Sequence, residues 1–226
     1  NKISNKLLSL TICYYLIKGV VLNAYRLLFF LTLLNLLNFV DRQLIASFAN
    51  FIVPDLGLTD TQYGFLTTVP FIVFYSIAGL FMGVLADMVN RPKLIAFGVV
   101  LWSVFTALTG AAKGFISMAL PRMFIGIGES ILTPTSMSLL SDSFPSKKMG
   151  FAAGFYYMGV PIGVGVSLLI AGYLGESLGW RNCFYLLGVL GLIMGLCALF
   201  FKDRGRKSAN SSDVKPTLSK ESTANI

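Results

Sequence analysis

Histidine is absent from the 226-residue chain. Its absence excludes imidazole bases, His-ligated metals and Ser-His or Cys-His nucleophile pairs, so any proton traffic must use carboxylates. Charge is also scarce. Asp, Glu, Lys and Arg make up 12% of the residues, about half the share of a soluble domain, too little to cover a water-exposed surface. The three cysteines, Cys13, Cys183 and Cys197, form no CxxC or other ligand spacing, lie in or beside apolar runs and read as small buried hydrophobes. No nucleophile set, metal set or phosphate loop is present, so neither an enzyme nor a bound cofactor or metal is expected. The first methionine is Met82, so the natural start is expected to be missing and the chain to be a fragment.

What is abundant is apolar surface: 55% of the residues are hydrophobic and the mean hydropathy is +0.75, which marks a membrane chain. Six apolar stretches of about 20 residues or more run over 26–50, 61–86, 93–112, 115–141, 149–175 and 182–201, separated by short polar gaps. Barrel strands are about 9 to 11 residues long and alternate in polarity, so these runs predict an all-α membrane protein, a bundle of six transmembrane helices over 26–201. Residues 1–25 read as an N-terminal cytoplasmic segment. Within it, 7–17 is too short to span and is shaped like a signal core or an interfacial helix. Residues 202–226 read as a polar cytoplasmic linker or tail, and the one N-x-[ST] sequon, Asn210-Ser211-Ser212, lies there.

The surplus of eight positive charges has a place in this layout. Lys2, Lys6, Lys18 and Arg26, then Arg91 and Lys93, Lys147 and Lys148, and finally Lys202, Arg204, Arg206 and Lys207 fall on one set of alternate loops and ends. The opposite set has only Lys113 and Arg181. The positive-inside rule then puts both termini in the cytoplasm, and the charge sets topology rather than binding nucleic acid.

Four ionisable residues are left inside spans: Asp41 and Arg42 in the first, Arg122 and Glu129 in the fourth. A charge at the bilayer centre costs roughly 2.5 to 3.5 kcal/mol on insertion scales, so such residues mark either a buried ion-pair cluster or a substrate and ion pathway. At 1.5 Å per residue, Asp41 and Glu129 lie roughly 22 and 20 Å from the cytoplasmic side, a matching depth. Arg122 lies two turns from Glu129 on the same face, about 10 Å away. Thr32, Asn35, Asn38 and Asp41 or Arg42 recur every three or four residues, as do Arg122, Gly126, Glu129, Thr133 and Ser136. Two such polar stripes must face protein or a water-filled cavity, which favours the pathway. The small-xxx-small pairs Gly79/Gly83, Gly150/Gly154, Gly159/Gly163 and Gly191/Gly195 read as helix packing, and Pro121, Pro134 and Pro161 as bends. Tyr75, Tyr156 and Tyr157 read equally as cavity lining or as core.

The loop Gly83-Val84-Leu85-Ala86-Asp87-Met88-Val89-Asn90-Arg91-Pro92-Lys93 resembles the G-x-L-a-D-r-x-g-r-k signature of the major facilitator superfamily, with Met88, Asn90 and Pro92 departing from it. Arg122-x-x-x-Gly126-x-Gly128-Glu129, Ser141-Asp142-x-Phe144-Pro145, Asn38-Phe39-Val40-Asp41-Arg42 and Trp180-Arg181 add a likeness to the spinster-like branch, near the anion:cation symporters. The resemblance implies the N-terminal six-helix half of a 6+6 carrier that works by alternating access, with a C-terminal half or a second copy as partner. It implies a gate at Gly83, Asp87 and Arg91, proton coupling at Asp41 and Glu129, and substrate contacts at Arg122 and Arg42, with Asn38 and Thr133 on the same stripes. The expected partners are the lipid bilayer, protons and an anionic or amphiphilic substrate such as a lysophospholipid. Symport of small organic anions such as sugar acids is the alternative, and a non-transporting membrane scaffold or sensor the alternative of another class. The cell (inner) membrane is the expected location.

Overall fold

The structure, a computed structural model, describes residues 2–203, with side chains from residue 23 onward. The expectations for Cys13, for the 7–17 side chains, for the tail from 204 on and for the Asn210 sequon lie outside these residues. The chain forms α1 (Lys2–Ser47), α2 (Ala49–Leu56), α3 (Asp60–Met88), α4 (Arg91–Gly110), α5 (Phe115–Ser130), α6 (Leu132–Ser143), α7 (Ser146–Tyr157) and α8 (Gly159–Ala198).

Local chemistry explains where these helices start and stop. Gly57, with φ of 60°, closes α2 in the left-handed conformation that only glycine adopts without penalty. Thr59 and Gln62 then form a reciprocal capping box at the head of α3. Asn90 caps α4 by accepting from the Lys93 amide at 3.1 Å. The breaks at Ile131 and Met158 have one cause. Pro134 and Pro161 have no N–H for the carbonyls of Ser130 and Tyr157, so the ladder tightens for a residue before the helix resumes.

Among the described residues five stretches are long and apolar enough to cross a membrane, the last of them the 53 residues of Ser146–Ala198. That length is roughly 80 Å of helix, more than twice a hydrocarbon core of about 30 Å. Gly179, with φ of 77° and ψ of 154°, divides it. Before the break the chain climbs along α1, passing Leu36 at Gly163 and Phe48 at Gly175. After the break it descends along α4, until Phe201 stacks on Phe30 with ring centroids 4.7 Å apart. The stretch therefore makes two opposed passes, which brings the passes among the described residues to six.

Close packing uses half of the small-residue pairs. A Cβ at Gly163 would lie 2.6 Å from the Leu36 carbonyl oxygen, and one at Gly195 3.0 Å from Val100. Gly79, Gly83, Gly150 and Gly154 instead face open space within 4 Å. Helix α3 is accordingly peripheral, with 17% of its most apolar window buried against 56% for α4. Along α1 one apolar cluster ends at Leu34 and a second begins at Leu37, and the polar row from Asn35 to Arg42 crosses the junction.

Candidate functional site: a charged cluster at the centre of the bundle

Asp41 on α1 is 1% exposed. Its Oδ2 accepts a hydrogen bond from the hydroxyl of Thr106 on α4, while its Oδ1 has no hydrogen-bond partner. Arg42, the next residue, turns toward α5 and donates from Nε and Nη2 to Glu129 Oε2 at 3.1 and 2.9 Å. Its guanidinium carbon also lies 4.9, 4.6 and 4.8 Å from the ring centroids of Phe39, Phe71 and Tyr75, a three-sided aromatic cage. Glu129 is 1% exposed and its Oε1 has no partner. Arg122, equally buried, lies 5.0 Å over Phe71, and its Nε and Nη1 have no hydrogen-bond partner. Asn38 is buried with its Nδ2 unpartnered.

Four charges from two helices thus meet in one place, and each of the two carboxylates keeps one oxygen free. Arg122 and Glu129 share one face of α5 as the spacing predicts, but Glu129 is held from across the bundle by Arg42. Arg122 is two turns away along α5, about 10 Å, whereas Arg42 approaches from the side.

Other stripe members take structural parts. Asn35 donates to the Tyr156 carbonyl at 2.9 Å, tying α1 to the end of α7. Thr32 bonds back to Leu28, and Thr133 stands 3.4 Å from the Tyr156 hydroxyl instead of joining the charges. Gly126 sits at a close helix contact. A Cβ there would lie 2.6 Å from the Phe71 carbonyl oxygen, so this glycine lets α3 close on α5 and carries Phe71 to both arginines. Tyr156 is core, Tyr157 is exposed and Tyr75 belongs to the cage.

Thr106 is the residue that sequence reasoning missed. Ser103, Thr106 and Thr109 recur every three residues along an otherwise apolar span, a polar stripe like the other two. Ser103 and Thr109 bond back to their own helix, and only the middle hydroxyl crosses to a charge.

The two ends of the bundle carry different ion pairs. At one end Arg91, 1% exposed, donates to Asp142 at 2.5 Å, to Asp203 at 2.6 Å, and to the Ser138 carbonyl and hydroxyl at 3.2 and 3.1 Å. Gly83 and Asp87 lie near the end of α3 that feeds this corner. At the other end Asp55 accepts from Arg181 and, at 3.1 Å, from Trp180 Nε1, and Arg181 reaches the Ala112 carbonyl at 3.1 Å. The Arg181 hydrogen bond, with a smaller contribution from Trp180, holds the Asp55 carboxyl below its usual range despite slight burial. A depressed carboxylate adds stability above its unfolded value of about 3.9 and loses it as pH falls through the folded value. The side chains are 39% and 43% exposed, so the gain is at most about 1 kcal/mol. Asp55→Asn is expected to lower the melting temperature by about 2–4 °C at most at pH 7, and by progressively less as pH falls through the folded value of that carboxyl, in thermal scans across pH.

An all-α bundle of long apolar helices around a buried, incompletely paired charge cluster defines, among the described residues, a multi-pass membrane protein. Residues 31–223 match the Major Facilitator Superfamily, and the chain belongs to that family. Over 181 residues it is 34% identical to a probable L-galactonate transporter of Escherichia coli (strain K12), covering 80% of this chain and 39% of that protein. It is 28% identical over 213 residues to a probable sphingolipid transporter, spinster homolog 1, of Arabidopsis thaliana, covering 86% and 43%. The solved structure of a bacterial homolog of the human lysosomal transporter Spinster, inward-facing and unoccupied, superposes with a TM-score of 0.72 at 30% identity, covering 83% of this chain and 46% of that one. The chain is spinster-like and spans less than half the length of these relatives, two of which are named as transporters and the third as a homolog of one.

Proposed function

We propose that the chain is the N-terminal half of a proton-coupled secondary transporter that moves an anionic organic substrate, an amphiphile such as a lysophospholipid, by alternating access. The observation that carries this reading is Arg122, a buried cation with two unpartnered nitrogens at the centre of the bundle. An unpaired buried charge is expensive, and an anionic headgroup that accepts from Nε and Nη1 would relieve it. The free oxygens of Asp41 and Glu129 offer two places for a proton beside that headgroup. The aromatic cage of Phe39, Phe71 and Tyr75 supports an apolar moiety next to the charges. In this reading Arg42 releases Glu129 when substrate or proton arrives, which links the two events. Asn38, whose amide lies beside Glu129, completes the polar wall.

A sugar-acid substrate is the second reading, favoured by the 34% identity to the L-galactonate transporter. The end that carries Arg26, Arg91, Lys93, Lys147, Lys148 and Lys202 is the cytoplasmic end in both readings, in the cell membrane, with the corner around Gly83, Asp87 and Arg91 as its gate.

The test is uptake into proteoliposomes across an imposed pH gradient, with a fluorescent lysophospholipid and with L-galactonate. Asp41→Asn and Glu129→Gln are each expected to remove the dependence on the gradient. Unchanged pH dependence in both variants would overturn the coupling role.

A further inference from the structure

A second cationic feature lies outside the central cluster. Where α1 enters its apolar span and the chain leaves α8, Asn23, Arg26, Leu27, Phe200, Phe201 and Lys202 line a groove of about 630 Å³. Its base is fixed: Leu27 is buried and Phe201 is stacked on Phe30. Its rim is polar and exposed, and Phe200 presents a ring that is 86% exposed. Neither Arg26 nor Lys202 forms an ion pair with a described residue. The acid nearest in sequence, Asp203, gives both carboxylate oxygens to Arg91.

The position decides what such a groove meets. Lys202 lies four residues past the end of α8, and Phe201 beside it stacks on Phe30, one turn along α1 from Arg26, so both cations stand at the level where the last pass leaves the hydrocarbon for the headgroups. An exposed aromatic ring beside two cations that no described residue pairs is complementary to a molecule with an anionic head and an apolar tail. A free anion would engage the cations and leave Phe200 bare. A volume of this size is in the range of ligand pockets and holds a headgroup with the first part of a chain.

We propose that this groove binds one anionic phospholipid of the adjoining leaflet, its phosphate held between Arg26 and Lys202 and its upper acyl chain laid against Phe200. The single negative charge of the bound phosphate bridges two cations that no described residue pairs, and the lipid braces the junction of α1 with the exit of α8. The site is independent of the central cluster and of whatever the protein carries.

The experiment is native mass spectrometry of the protein released from nanodiscs of phosphatidylcholine with about 30% phosphatidylglycerol. The wild type is expected to retain phosphatidylglycerol in excess over its share of the bilayer. Each basic residue near an anionic surface contributes roughly fivefold, so Arg26→Gln/Lys202→Gln is expected to lower that retention by about 25-fold. Phe200→Ser, which leaves the charge intact, is expected to lower it severalfold, and Arg26→Lys/Lys202→Arg to keep most of it. Circular dichroism on each variant separates lipid loss from unfolding. Unchanged retention in the Gln pair would overturn the site. An equal loss in Lys147→Gln/Lys148→Gln, at the same end of the bundle, would overturn it in favour of a general charge effect. Displacement of the lipid by millimolar inorganic phosphate would overturn it in favour of a simple anion site.

Discussion

Arg91→Met is expected to lower the stability of the bundle by about 3 kcal/mol and to release one of its corners. Arg91 opens α4, yet its partners belong elsewhere. Asp142 is in the last turn of α6, Asp203 follows α8, and Ser138, whose carbonyl and hydroxyl also accept, is one turn before Asp142 on α6. One guanidinium thus fastens three segments, and its planar fork of donors is what lets it serve them together. Removing one partner of a buried ion pair typically costs 3–5 kcal/mol, because the other is left without compensation. Here the carboxylates are 14% and 16% exposed, so water reaches them in part and the lower end of that range applies. At about 2–4 °C per kcal/mol for a chain of this size, the melting temperature in detergent is expected to fall by roughly 6–12 °C. Arg91→Lys keeps the charge but not the fork and is expected to fall between the two. Tryptic cleavage at Lys202 reports the corner directly and should accelerate in step with the loss of stability. A melting temperature within a degree of wild type for Arg91→Met would show that the corner is held by packing alone.

What the sequence made legible followed from one-dimensional rules. Runs of about 20 apolar residues announce helices because lipid supplies no hydrogen-bond partners to a chain that does not satisfy its own. Pro134 and Pro161 mark breaks in the ladder because the missing N–H belongs to a known carbonyl. The turn between the last two passes was legible as a polar gap, but the backbone runs helically on both sides of it and Gly179 alone reverses the chain. What stayed hidden depends on which helices become neighbours. Helical spacing placed Arg122 and Glu129 on one face of α5, yet it is silent about α1, whose Arg42 takes Glu129. Gly126 belongs to the same periodic row as the charges, but its role comes from the backbone of α3 at contact distance. Thr106 carried a visible pattern with Ser103 and Thr109, and only the packing of α4 on α1 distinguishes the middle hydroxyl from its neighbours. Gly79 and Gly150 look like Gly159 and Gly191 in sequence, while in the fold the first two face open space.

The pair Arg42 and Glu129 can be tested in a way that separates holding helices together from carrying a substrate. Arg42→Gln is expected to be the worse of the two single changes, by about 3 kcal/mol relative to wild type. It leaves Glu129, with a side chain wholly removed from solvent, facing no hydrogen-bonded cation. Glu129→Gln is expected to cost about half as much. Arg42 is 28% exposed and keeps three aromatic rings, each cation–ring contact supplying about 0.5–2 kcal/mol at such sites. The double variant Arg42→Gln/Glu129→Gln removes both charges and leaves two amides able to bond each other. It should therefore be more stable than the sum of the single changes predicts, with a coupling of about 2 kcal/mol in unfolding measurements. Transport is expected to follow another course. If the cluster handles substrate and protons, the double variant regains stability yet remains at least about a hundredfold below wild type in gradient-driven uptake, since an effect near 3 kcal/mol on the working site persists. If the four charges only fasten α1 to α5, uptake in the double variant returns with its stability, and the central cluster is architecture.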